Sequence, residues 1–163
     1  MATDMLTTIE TAMYDAIAAA VEGPYFFTWG TINEPDMAKQ EFPSAEIQLI
    51  EEDNLDIEGG ANSGAYQNKA NFEIIVKARL GNEVMSGTQV YEIHKELNKA
   101  LSDLKKIFGV NYNLGGCYVI MYKGMRREFE PMGDLLVPKR MITMWSVWYL
   151  QDRSDPTTGA DGA

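Results

Sequence analysis

The chain has 163 residues, of which 45% are hydrophobic and 10% aromatic, and this is the length and apolar content of one globular domain. Its 24 acidic and 14 basic residues give a formal net charge of −10, which argues against general binding to phosphate backbones. The sequence has no signal-peptide pattern at its start and no apolar run near the roughly 20 residues that span a membrane, and its single cysteine excludes a disulfide within the chain. These features predict a soluble protein that folds in a reducing compartment.

The first predicted element is a helix over residues 8–21. Its apolar residues recur every four positions and form one stripe: Ile9, Met13, Ile17 and Val21. Thr7 and Glu10 have the spacing of a capping box at its start. Gly23 and Pro24 are expected to end it, because proline cannot continue the hydrogen-bond ladder of a helix.

Strand patterns follow the first helix. A short strand is expected within residues 25–29, and polar and apolar residues alternate over residues 45–50 and 72–80, which predicts two strands with one face toward the core. The segment between the two, residues 51–69, is polar, contains glycines and is acidic at its start. It is predicted to be a mobile loop.

The second helix is predicted over residues 88–108, with Gly109 as its C-terminal stop. Its apolar stripe consists of Val90, Ile93, Leu97, Leu101, Leu104 and Phe108. Residues 117–122 and 141–150 are predicted strands, and the polar residues 123–139 between them are predicted to form the tip of a long hairpin.

The order of these elements predicts an α+β fold. Helix, strand pair, helix and strand pair (αββαββ) give a mostly antiparallel sheet of about four to five strands with two helices packed on one face. Residues 1–150 are assigned to this single domain. Residues 151–163 are rich in Asp, Thr, Gly and Ala, and we expect a disordered C-terminal tail there.

The sequence offers no assembly of groups for catalysis. His94 is the only histidine, it lies at the flank of the second helix's apolar stripe, and the sequence places no second histidine with it for a metal site. Cys117 alternates with apolar residues and is expected to pack as one of them. The glycine pairs match neither nucleotide-binding loop, and the acidic segment lacks the spacing of a calcium loop. We therefore predict no enzyme activity, no catalytic residue, no metal site and no cofactor.

The last strand is apolar on both faces. Trp145, Val147 and Tyr149 share one face, and Met144, Trp148 and Leu150 share the other. Ile75 and Ile50 also fall on the face opposite the core set of their strands. Such a strand is either central in a core or divided between a core and a subunit interface. We take this excess of large apolar residues, more than one face of a sheet requires, as an indication that copies of the chain assemble with one another.

Charge is segregated along the chain. The acidic segment, which we expect to line a lumen or to contact a neighbouring subunit, contains Glu51, Glu52, Asp53, Asp56 and Glu58. The predicted basic hairpin interface contains Lys123, Arg126, Arg127, Lys139 and Arg140. If the acidic segment of one copy meets the basic hairpin of the next, the contact is heterologous, and heterologous contacts that close form rings.

The layout resembles that of the tail terminator (tail completion) proteins of long-tailed bacteriophages. The resemblance rests on size and element order up to about residue 150: an N-terminal helix, paired strands, a central helix and a closing strand pair with a long tip. It implies a virion protein, assembled in the host cytoplasm, that forms a hexameric ring in the tail and neck. The implied partners are further copies of the chain, a tail tube protein, a neck or head-completion protein and, where a tail has one, a sheath. DNA would pass through the lumen without specific binding, and no membrane is involved.

Other functions remain open at this point. Another neck or head-completion ring protein, or a tail tube subunit, would share the predicted features, and a tube subunit would polymerise instead of stopping at a ring. A small-molecule-binding α+β domain would require a pocket that joins His94 to carboxylates.

Overall fold

The structure, a computed structural model, describes residues 4–20, 26–27, 44–55, 65–77, 86–117 and 119–152. Two helices, α1 (Met5–Ala20) and α2 (Gly87–Val110), accompany five strands. The strands are β1 (Phe26–Phe27), β2 (Ser44–Asn54), β3 (Ala65–Lys77), β4 (Val119–Met132) and β5 (Leu135–Asp152), and a 3-10 turn at Leu114–Gly116 precedes β4.

The five strands form one sheet in the order β1-β2-β3-β5-β4. The four long strands are antiparallel to their neighbours, while the two-residue β1 pairs with the start of β2 in parallel. The predicted α+β fold with a mostly antiparallel sheet is therefore confirmed. The short strand expected within residues 25–29 is β1.

Both helices pack on the same face of the sheet. Successive strand residues point to opposite faces, and the core layer between the sheet and the helices takes one alternating set from each central strand. That set is Ala70, Phe72, Ile74 and Val76 from β3 with Met141, Trp145, Val147 and Tyr149 from β5. The apolar stripes of α1 and α2 close this layer, and the rings of Phe108 and Trp145 meet edge to face at 5.0 Å between centroids.

Helix α1 begins earlier than predicted. Asp4 is its cap, because one carboxylate oxygen of Asp4 accepts from the backbone N–H of Thr7 at 2.8 Å and the other accepts from the Thr7 hydroxyl at 2.8 Å. The capping box predicted at Thr7 and Glu10 is therefore wrong. Gly23 and Pro24, the predicted end, lie outside the described residues.

Helix α2 has the predicted buried stripe but different ends. Ser86 caps it in a capping box with Gln89, in which each side chain accepts from the other residue's backbone N–H. The prediction that Gly109 stops the helix is wrong, since α2 continues to Val110. The side-chain amide of Asn111 closes this end by donating to the carbonyl of Ile107 at 2.9 Å.

Strands β2, β3 and β5 extend beyond the residues in which polar and apolar side chains alternate. β2 runs four residues beyond the predicted end and β3 begins at Ala65, so part of the predicted polar loop is sheet. β5 continues through Asp152, so the sheet passes the predicted domain boundary at residue 150. Polar cross-strand bonds explain these extensions, as when the amide of Asn71 donates to the Glu51 carboxylate at 2.8 Å.

Candidate assembly surface

The acidic segment forms one corner of the sheet. Glu51, Glu52 and Asp53 lie in the last part of β2, which corrects the prediction that they belong to a loop. Each has a cross-strand partner: Asn71 donates to Glu51, the Tyr149 hydroxyl donates to Glu52 at 2.5 Å, and Lys69 lies 3.7 Å from Asp53.

These partners fix the acidic corner in place. The hydroxyl of Tyr149 donates from a fully buried side chain, and the pKa of that phenol is raised by burial and by the bond to Glu52. Lys69 of β3 pairs with Asp53 in the sheet register and places a positive charge beside these carboxylates. The remaining two predicted members, Asp56 and Glu58, lie outside the described residues.

The basic hairpin is a pair of long strands with a short turn. Residues 123–139 do form the end of a long hairpin, as predicted, but its polar residues lie in the two strands, because β4 and β5 are joined by only Gly133 and Asp134. Two β-bulges interrupt the pairing, one between Tyr122 and Gly124 and one between Glu128 and Phe129. Bulges add twist to a strand, and Lys123 occupies the first of them.

The five predicted cations of the hairpin do not form one patch. Arg127 pairs with Met141 in the register, on the helix side, whereas Arg126 pairs with Ile142 and Arg140 with Glu128 on the opposite side. The guanidinium of Arg140 makes a two-bond ion pair with Glu128, at 2.6 and 3.1 Å. This bond lowers the pKa of the Glu128 carboxyl. Arg126, Lys123 and Lys139 are exposed.

The acidic corner and the basic hairpin lie at diagonally opposite corners of the sheet. Across the sheet, Glu52 of β2 pairs with Ala70 of β3, which pairs with Val147 of β5. Arg126 of β4 pairs with Ile142, which lies five residues before Val147 in β5. Five residues along a strand span about 17 Å, and the three strand spacings from β2 to β4 span about 14 Å. The two corners are thus roughly 20 Å apart, and at 0.1 M salt the screening length is only about 10 Å. They cannot neutralise each other within one molecule.

The face of the sheet away from the helices has apolar residues at its centre. Ile75 and Ile142 are directly paired there and are 5% and 2% exposed. Met144, Trp148 and Leu150 lie on this face of β5 and are partly exposed. The two apolar faces predicted for the last strand are therefore confirmed. Ile50, the extra residue of a bulge in β2, is 51% exposed.

A contact between α2 and the hairpin was not predicted from the sequence. Nδ1 of His94 lies 2.6 Å from a guanidinium nitrogen of Arg127, and a second nitrogen of Arg127 donates to the side-chain oxygen of Asn98. The ring of Phe129 packs against the imidazole, with 6.1 Å between centroids. Burial first and Arg127 second lower the pKa of His94. The only signal in the sequence is the spacing of His94 and Asn98, one helical turn apart.

The two side chains that the sequence offered for chemistry, His94 and Cys117, have different neighbours from those that such a role requires. The partner of His94 is a cation instead of the carboxylate that a small-molecule site would require. Cys117 is buried, and burial raises the pKa of its thiol to about 11, so the nucleophilic thiolate is suppressed at neutral pH. Within the described ranges, no group of His, Cys, Asp and Glu side chains is placed to hold a metal ion. None of the helices in those ranges is long and apolar enough to cross a membrane.

No protein-family model matches the chain, and no curated protein matches it.

Proposed function

We propose that this chain is a structural subunit that assembles head to tail into a closed ring, and that the ring is the tail terminator of a long-tailed bacteriophage. The observation that carries the proposal is the position of opposite charges at opposite corners of one sheet. An acidic corner that cannot reach the basic hairpin of its own molecule can reach the hairpin of the next copy.

The charges alone allow a ring or a two-fold dimer. In a two-fold contact residue i meets residue j and j meets i, so both corners of each copy would be used at one interface, whereas a head-to-tail contact leaves one corner of each copy for the next copy. Such contacts repeat with a fixed rotation and end when the ring closes. Steering by these charges fixes the register of neighbouring copies more than it adds affinity.

Apolar side chains near the hairpin supply contact area. Phe129 and Leu136 are 49% and 64% exposed on the hairpin, and Met121 is 41% exposed on β4. Exposed apolar residues grouped with charged ones are typical of protein interfaces. Burying them against a neighbouring copy provides the affinity that the exposed charge pairs do not.

The assignment to a tail terminator rests on the size and the element order shared with that family. In this proposal the ring caps the tail tube, stops its growth and contacts a neck or head-completion protein. The acidic residues Glu51, Glu52 and Asp53, where they are not covered by a neighbour, face the lumen, and DNA slides past a surface of like charge.

The test is the native mass of the purified protein combined with negative-stain imaging. We expect a closed ring with a central hole, and Arg126→Glu should raise the dissociation constant of the ring by about tenfold or more, equivalent to about 1.4 kcal/mol. Arg126 is chosen because it is exposed, whereas Arg127 is engaged with α2. The matched control is Lys106→Glu, the same charge change at an exposed position on α2.

A second variant tests the pairing itself. Adding Glu51→Lys to Arg126→Glu restores opposite charges at the two corners, so the double variant should recover most of the lost association. Long tubes in the micrographs would identify a tube subunit instead. A protein that stays monomeric at all concentrations, or one whose ring tolerates Arg126→Glu as well as Lys106→Glu, contradicts the proposed contact.

A further inference from the structure

The far part of the β4–β5 hairpin is held by packing against the core, where Val137 is fully buried, and by a contact with α2. The last residue of β3, Lys77, pairs with Arg140, so residues 135–138 of β5 pair only with residues 129–132 of β4 among the described strands. A two-stranded ribbon is at best marginally stable in water. Contacts with the helix layer therefore hold this segment, which we call the distal hairpin (residues 129–138).

The Arg127 contact lies where the distal hairpin begins, and it requires a neutral histidine. A guanidinium carries only donors and keeps its charge at any ordinary pH. At 2.6 Å from Arg127, Nδ1 of His94 must therefore be the acceptor, which leaves the ring proton on Nε2. Protonation of Nδ1 would set two N–H groups and two positive charges against each other.

No carboxylate in contact offsets that repulsion among the residues that the structure describes. From β4 the imidazole faces Arg127 and the ring of Phe129, and from β5 the residue level with Arg127 is the apolar Met141. On α2, the second partner of Arg127 is the neutral Asn98.

The charged neighbours on α2 are engaged or placed elsewhere. Lys95 pairs with Glu92 at 3.5 Å, and Glu96 is a partly buried carboxyl whose pKa is raised by burial. Glu128, the carboxylate beside Arg127 in sequence, is held by Arg140 on the opposite face of the sheet. Among the described residues, the positive charge of Arg127 is thus the one that a protonated His94 would meet at close range.

We propose that His94 and Arg127 form an acid-sensitive latch that strengthens the attachment of the distal hairpin to α2 at neutral pH and opens when His94 is protonated, so that the distal hairpin is then held by its core packing alone. The lowered pKa of His94 has the sign that this requires, because the folded state then favours the neutral imidazole. The latch is complete above about pH 6.5 and is lost as the pH falls from there through the lowered pKa. The latch is formed within one copy and does not require the proposed ring, although Phe129 and Leu136 of the distal hairpin also belong to the proposed contact between copies.

The test uses the full chain and two readouts. Because the sequence contains one histidine, NMR titration of the imidazole is unambiguous, and we expect a pKa below 6.5 that rises toward 6.5 in Arg127→Gln. Hydrogen exchange, corrected for the intrinsic effect of pH, should show that the amides of Phe129, Glu130 and Val137 lose protection on acidification. The loss should be up to about tenfold for each unit by which the pKa is lowered.

The matched control is His94→Gln, which keeps a side-chain acceptor but does not titrate in this range. In this variant the protection of the distal hairpin should no longer fall more than that of Ile142 and Val147 in the body of the sheet. An imidazole that titrates at or above pH 6.5 overturns the proposal, and so does an equal loss of protection in His94→Gln. If the variant fails to fold, the two measurements on the unaltered chain still decide.

Discussion

Gly115 lies in the 3-10 turn Leu114–Gly116 with a φ of 64°, close beneath α1. A Cβ at this position would be 2.7 Å from the Cα of Ile9 and 3.1 Å from the carbonyl oxygen of Thr8. Both atoms belong to the helix backbone, which cannot move aside as a flexible side chain can. The turn therefore requires glycine for its backbone conformation and for its close approach to α1.

These two requirements can be separated with a matched pair of variants. Gly133, in the turn between β4 and β5, has the same φ of 64°, but a Cβ added there would meet no described atom within 4 Å. Gly133→Ala should lower the free energy of unfolding by about 1 kcal/mol through conformational strain alone. Gly115→Ala should cost about 1–3 kcal/mol more because the helix must shift. Urea denaturation measures both, and equal costs would show that the approach to α1 is not tight.

At the residue scale, the sequence predicted which segments carry the charged residues, but it did not predict which residues those side chains contact. Arg127 was correctly included in the charged hairpin, but its contact with His94 spans 33 positions and has no local pattern. Glu51, Glu52 and Asp53 were predicted as one group, and they are consecutive in β2, but their side chains alternate between faces: Glu52 is on the helix side with Tyr149, and Glu51 and Asp53 are on the opposite side. Partners across the sheet, such as Tyr149 for Glu52, depend on strand order and register.

At the scale of elements, the cap of α1 gives a prediction about pH. Hydrogen bonds from the backbone and then the side chain of Thr7 lower the pKa of Asp4 below 3.8. Asp4→Ala should therefore reduce the free energy of unfolding by about 1 kcal/mol at pH 7. Because the folded pKa is lowered, this contribution is present above about pH 3.8 and is lost as the pH falls through the folded value.

Two controls accompany this measurement. Asp4→Asn keeps a good capping side chain without a charge, so it should retain most of the stability and lose the pH dependence. Glu10→Gln tests the capping box that the sequence suggested, and it should change stability by less than about 0.5 kcal/mol. Urea unfolding between pH 7 and pH 3 compares the variants. If Glu10→Gln lowered the free energy of unfolding more than Asp4→Ala does, the capping box predicted at Thr7 and Glu10 would be correct.

Element types were predictable because periodicity is a local property. The stripe of α2 predicted its buried side chains, since Ile93, Leu97, Leu104 and Phe108 are all in the core. Strand ends were not predictable by the same means. Residues 51–54 and 65–69 pair in the sheet although they are polar, because cross-strand hydrogen bonds replace apolar burial there.

At the scale of the whole molecule, the arrangement of charge follows from the sheet order. The sequence shows an acidic and a basic segment, but their separation depends on β5 lying between β3 and β4. Had β4 paired with β3, the basic hairpin would be one strand nearer to the acidic corner. Sheet order is set by long-range packing of the apolar faces, so hydrophobic periodicity alone could not supply it.

Two electrostatic effects of opposite sign act on the proposed ring. Each copy carries a net charge of −10, so whole copies repel, while the acidic corner and basic hairpin attract where they touch. The centres of neighbouring domains of this size are about 30 Å or more apart. The screening length is about 30 Å at 0.01 M salt, about 10 Å at 0.1 M and about 3 Å at 1 M. Repulsion is therefore largely screened at 0.1 M, whereas the contact pairs are not.

Association should accordingly pass through a maximum as salt is added. We expect the ring to be weaker at about 0.01 M salt because whole copies repel, strongest near 0.1 M, and weaker again toward 1 M as the contact pairs are screened. Analytical ultracentrifugation across this range measures the dissociation constant. Association of the Arg126→Glu variant should no longer weaken as salt rises above 0.1 M, because its two corners no longer attract each other. Association of the Lys106→Glu variant should still weaken. Association that strengthens steadily up to 1 M salt would mean that apolar burial alone joins the copies, and that the charged corners take no part in the contact.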